Sequence, residues 1–92
     1  MKDKAKSLEV PTRAPEQLGQ AIERFRKRKE LSQASLAKSA GVRQATVSKV
    51  ENGLGTTEID TIFAVCAALG IEIVLRERKS RNEQLATKEL FK

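Results

Sequence analysis

The chain has 92 residues, a net charge of +6 and a pI near 9.8. That length suits one small domain with short extensions, and the basic balance suits a polyanion, either nucleic acid or an acidic membrane surface. Histidine is absent and Cys66 is the only cysteine, which excludes the commonest general base, an internal disulfide and a Cys/His metal cluster.

A domain of this size buries only about 60% of the surface its unfolded chain exposes, so pairing with a second copy would add stability. Aromatics are sparse, and the core must come from Leu, Ile, Val and Ala. The longest apolar run, Ile62 to Leu69, is too short to cross a bilayer. No signal peptide is expected, and the expected location is cytoplasmic, with no membrane partner.

Residues 1–14 mix Lys, Asp, Ser, Thr and Pro without apolar periodicity and read as a flexible N-terminal arm. Pro15 suits a first helical position, and Leu18, Ile22 and Phe25 follow at i, i+4, i+7. The spacing predicts a helix over 15–29, with Arg24, Lys27 and Arg28 opposite its apolar side. Ser32 is a suitable N-cap for a second helix over 33–40, and Gly41 can take the left-handed turn after it. A third helix is predicted over 43–51, stopped by Asn52-Gly53. Thr57-x-x-Asp60 reads as a capping box. It would open a fourth helix with Ile59, Ile62, Phe63, Cys66 and Leu69 on its apolar side, closed by Gly70. Cys66, set among Ala64, Val65, Ala67 and Ala68, reads as a small core side chain.

Beyond Gly70, Ile71, Ile73 and Leu75 share one face at period two, which predicts a short strand over 71–76. The alternative is a last helical turn and loop. A lone strand leaves unpaired edges, and the same strand from a second copy would satisfy them in a two-fold dimer. Residues 79–92 are too polar to form a core and are read either as disordered or as a partner-binding segment. The expected organisation is an arm over 1–14, a folded helical domain with its dimerisation strand over 15–77 and a flexible tail over 78–92.

The second and third helices have the pattern of a helix-turn-helix. A close helix crossing needs a small residue at Ala37, the turn needs Gly41, and the inner faces need Leu36, Ala40, Val42, Val47 and Val50. On the third helix Val47 and Val50 define the buried direction. Gln44, Ala45, Ser48, Lys49 and Asn52 then surround the outward one at about 100° per residue. Such a face suits a major groove: Gln pairs with adenine, Ser bonds several bases, Ala packs on a thymine methyl, and Lys reaches guanine or phosphate. Gln33, at the start of the second helix, and Arg43 and Thr46, at the start and side of the third, suit phosphate. Arg26 and Glu51 sit at the edges of their helices' apolar sides and are expected to form a mainly structural ion pair, with phosphate the other partner open to Arg26. An enzyme would need a base or a metal cluster, and the acidic residues are scattered. No catalytic residue, metal or cofactor is expected.

Leu31-Ser32-Gln33-Ala34-Ser35-Leu36-Ala37, then Gly41-Val42, then Val47-Ser48-x-x-Glu51-Asn52-Gly53 resembles the Xre/Cro/phage-repressor family, and the likeness continues through Ile59-x-x-Ile62 and Ala67-Ala68-Leu69-Gly70. The resemblance implies an all-α, lambda-repressor-like domain of four helices with a short C-terminal strand that pairs in a homodimer. It also implies binding to a palindromic double-stranded operator, with residues matching Gln33, Gln44, Ala45, Ser48 and Lys49 on DNA and Arg43 and Thr46 near its backbone. Within the family, Val42 to Ser48, Thr56-Thr57 and the strand at 71–76 are most similar to HipB-type antitoxins. That likeness implies a transcriptional repressor that controls its own operon and binds a HipA-like serine/threonine kinase toxin. The alternative is a free-standing regulator of the same family or a phage-type repressor without a toxin partner.

Overall fold

Four helices account for the regular structure in the computed structural model, which describes residues 7–78. They are α1 (Pro15–Arg28), α2 (Gln33–Ala40), α3 (Gln44–Glu51) and α4 (Ile59–Leu69). Ile22 of α1, Leu36 and Ala37 of α2, Val47 and Val50 of α3, and Val65 and Leu69 of α4 form one buried cluster. Leu18, Phe25, Leu31, Val42, Ile62 and Ile71 pack around it. Burying one such Leu or Ile side chain contributes roughly 2 kcal/mol, so the short helices are held by this shared core more than by their own propensity.

All four helices end in the same way. The N–H of Leu31 donates to the Arg26 carbonyl, that of Val42 to Ala37, that of Leu54 to Lys49, and that of Ile71 to Cys66, at 3.0 to 3.1 Å. The residue before each donor takes a left-handed conformation: Glu30 (φ 59°), Gly41 (75°), Gly53 (66°) and Gly70 (71°). This double-bonded stop satisfies carbonyls that a helix end otherwise leaves open. Three of the four positions are glycine, and Glu30 is the exception. A side chain costs about 1–2 kcal/mol in that conformation.

Gly19 does different work. A Cβ there would lie 2.6 Å from the Glu51 carbonyl oxygen, and closer still to that of Val50. The backbones of α1 and α3 therefore approach each other closely at this point.

Two expectations about α4 are corrected. Its N-cap is Glu58, in extended conformation and without a side-chain cap bond. Thr57 thus falls one position too early, and Asp60 is too near the start, for a capping box. The buried side of α4 is Val65, Cys66 and Leu69, while Ile59 and Phe63 are 68% and 52% exposed. Apolar residues surround most of this helix, so its phase is set by the core that it meets and not by its own pattern.

The strand expected at Ile71, Ile73 and Leu75 does not form within one chain: residues 71–78 carry neither helix nor strand. Gly70 stops α4, which removes the further helical turn. A β-ladder needs a second strand, and the described residues of one chain supply none. Ahead of α1, the Arg13 N–H donates to Gln17 Oε1, and Arg76 meets Glu9 at 3.3 Å on the surface. The first six residues of the expected arm, and tail residues 79–92, lie outside the described residues. No helix among the described residues is long and apolar enough to cross a membrane.

Candidate nucleic-acid interface

The helix-turn-helix is built by α2, the Gly41–Arg43 turn and α3. Ser32 caps α2 by accepting the Ser35 N–H at 3.0 Å. Gly41 has open space around its Cα, so only its left-handed backbone requires glycine. Arg43 is extended and is the N-cap of α3, so the helix begins at Gln44, one residue later than its sequence pattern suggests. The Arg43 carbonyl accepts the N–H groups of Thr46 and Val47, which leaves its side chain outside the helix.

Burial of Val47 and Val50 turns the opposite side of α3 outward. Gln44, Ala45 and Lys49 are exposed on it, and Thr46 and Ser48 are half-buried. Asn52 is exposed, but its Nδ2 donates to the Ser48 carbonyl at 2.9 Å and lies 3.5 Å from Ser48 Oγ. Arg43 is exposed at the same end as Gln44. Together these residues form a ridge of the width of one helix, mostly amide and hydroxyl, with the cations Arg43 and Lys49 and the small apolar Ala45 among them. That is the shape and chemistry that a major groove accepts.

Behind the ridge lies a buried charge cluster. Arg26 Nε donates to Glu51 Oε2 at 2.6 Å, and Nη2 donates to Oε1 at 3.0 Å. Nη1 donates to the Leu31 carbonyl at 2.8 Å, in the loop that leads to α2. Gln33 Nε2 completes the set, donating to Glu51 Oε1 at 2.9 Å. Both charged residues are buried, and no buried side-chain polar atom among those described lacks a partner. The Glu51 hydrogen bonds hold the Arg26 guanidinium above its ordinary pKa against the opposing cost of burial. Arg26 is thus occupied inside the protein and is not free for phosphate.

The structure therefore brings Arg43, Gln44, Ala45, Ser48 and Lys49 onto one surface, with Thr46 at its edge. It places Gln33 at the junction of that surface with the buried pair. Sequence reasoning missed two partners of the pair, Gln33 and the Leu31 carbonyl. It also missed Gly19, although a glycine inside a helical pattern is itself a sign of close packing. Among the described residues, no group of acidic, cysteine or histidine side chains could hold a metal ion.

A helix-turn-helix family model, HTH_3, matches residues 22–75. The chain is 32% identical over 73 residues to antitoxin HipB of Escherichia coli O6:H1 (strain CFT073), covering 79% of this chain and 78% of that protein. Among solved structures it is similar to a chain of a HipA-HipB-O2-O3 complex, with a TM-score of 0.70, 32% identity and coverage of 75% of this chain and 97% of that one. A HipB-O4 20mer complex gives the same TM-score of 0.70, at 32% identity and coverage of 75% and 97%. The restriction-modification controller protein C.AhdI from Aeromonas hydrophila is also similar, with a TM-score of 0.59, 33% identity and coverage of 62% and 83%.

Proposed function

The chain belongs to the helix-turn-helix family of Xre-type, HipB-like regulators, and from that membership we propose that it is a sequence-specific repressor that acts in the cytoplasm as the antitoxin of a HipA-like serine/threonine kinase and represses its own operon. It is a DNA-binding regulator and not an enzyme. The observation that carries the DNA reading is the outward ridge of α3, with Gln44, Ala45, Ser48 and Lys49 opposite the buried Val47 and Val50. In this reading those four side chains meet base edges, and Gln33, Arg43 and Thr46 meet the backbone.

The proposed active form is a homodimer. Leu54, Ile59, Phe63, Ile73, Val74 and Leu75 are large apolar residues left exposed in one chain, Leu75 at 93%. Pairing of residues 71–76 with the same segment of a second copy would cover part of this surface and supply the missing ladder. The operator would then be palindromic, with half-site centres about 10 bp apart or a multiple of that.

The toxin partnership is supported by the relatives: the HipA-HipB-O2-O3 complex places such a chain with HipA. A free-standing regulator is the second reading, favoured by the likeness to the restriction-modification controller. Affinity purification of the tagged chain, co-expressed with its neighbouring gene, separates the two. A kinase-like protein that co-purifies, together with repression of the chain's own promoter, is the expected result. Promoter binding without any such partner would replace the antitoxin reading with the second one.

A further inference from the structure

We propose that Glu51 is a positioning residue for DNA binding: its buried carboxylate orients the Gln33 amide at the start of α2 and so ties the Arg26–Glu51 pair to the DNA backbone. This rests on the DNA-interface reading above.

The side chain of Glu51 is 3% exposed and pairs with Arg26. An ionised carboxylate can only accept hydrogen bonds, so it dictates which end of the Gln33 amide faces it. Nε2 must turn inward, and it does, at 2.9 Å from Oε1. That bond uses one of the two Nε2 protons and leaves the second for an external acceptor. Gln33 is half-buried, at the first turn of an eight-residue helix, where the backbone N–H groups also lack helical partners.

The backbone at this point is held by the same charge cluster. Arg26 Nη1 donates to the carbonyl of Leu31, two residues before Gln33. One guanidinium–carboxylate pair thus fixes both the main chain that enters α2 and the side chain that starts it. It also anchors the last residue of α3. Glu51 therefore couples the orientation of the Gln33 side chain, at the backbone-contacting end of α2, to the last residue of the helix that carries the base-facing ridge. An unanchored glutamine would have to give up its rotamer freedom on meeting phosphate, and the anchored one has already done so.

The test uses the full chain and a fluorescein-labelled 20-bp duplex of mixed sequence at low salt, read by anisotropy. A backbone contact does not depend on base sequence, so the cognate operator is not needed. Four proteins are compared: the wild type, Gln33→Ala, the paired substitution Arg26→Met with Glu51→Leu, and all three changes together. The apolar pair removes the carboxylate while leaving net charge and packing volume nearly constant. Gln33→Ala should bind about tenfold more weakly while still folded, with its unfolding midpoint lowered by the lost hydrogen bond to Glu51. The apolar pair should lose the same factor while folded, and the triple variant should lose no more than either. Wild-type affinity in Gln33→Ala, or in the folded apolar pair, would overturn the proposal. So would losses that multiply in the triple variant.

If the apolar pair does not fold, proton exchange of the Gln33 side-chain amide in the wild type decides the matter. One slowly exchanging Nε2 proton is expected, and an amide that exchanges as freely as that of an exposed glutamine overturns the anchor. A wild-type chain that does not bind the duplex at all would instead bring down the DNA reading itself.

Discussion

Gly19 of α1 faces the carbonyl oxygen of Glu51, the last residue of α3, with no room for a methyl group between them. Alanine is ordinarily better than glycine inside a helix by about 1 kcal/mol. Here its Cβ would meet backbone, which cannot rotate away. Gly19→Ala is therefore expected to destabilise the fold by roughly 2–3 kcal/mol through overpacking. Urea denaturation measures it, and a stabilised variant would mean that the two helices stand further apart.

Glu30 is the one non-glycine residue in a left-handed conformation among those described. Its side chain is exposed. Glu30→Gly should raise stability by about 0.5–1 kcal/mol by relieving the backbone, even though glycine is more flexible when unfolded. Thermal melts of the two proteins at equal concentration compare them directly. A lower melting temperature for the glycine variant would assign Glu30 a stabilising contact.

Gln44 and Arg43 are neighbours with different expected effects on DNA. Gln44→Ala should weaken binding to the cognate site by roughly 1–3 kcal/mol and spare non-specific binding. Arg43→Ala should weaken binding to every sequence and reduce the slope of log affinity against log salt by about one. Titrations of both variants at several salt concentrations distinguish base reading from phosphate contact. Equal losses on cognate and random DNA would remove Gln44 from the base-reading set.

Cys66 is buried, and that burial pushes its thiol pKa up. The folded state thus holds its proton to higher pH than the unfolded chain does. The resulting stability is fully present below the ordinary thiol pKa, about 8.5, and is lost as pH rises from there through the raised folded value. Unfolding free energy measured across alkaline pH should fall more steeply for the wild type than for Cys66→Ala. Matching profiles would show that the thiol does not contribute.

Much of this architecture is legible in the residues because its signals are local. Ser32, Gly41, Gly53 and Gly70 mark helix ends through their own backbone and capping chemistry, and each does so where the sequence suggests. Leu36, Ala37, Val47 and Val50 fall on buried faces because helical periodicity repeats within a few residues. The outward side of α3 follows from the same geometry. Glu30 left no such mark, since its left-handed turn has no glycine to announce it.

Residue order and periodicity alone specify the succession of the helices, the helix-turn-helix and the side of α3 that faces outward. They also bring Arg26 and Glu51 forward as candidates for a pair 25 positions apart. The phase of α4, the contact of Gly19 with α3 and the inward turn of Gln33 toward Glu51 follow from the packed fold. The reason is physical. Periodicity and capping depend on torsions within one turn of chain, whereas these three features depend on distances between segments that meet only when the core closes. Gln33 and Glu51 are 18 residues apart, and the bond between them exists because Val47, Val50 and Leu36 have already brought α2 and α3 together.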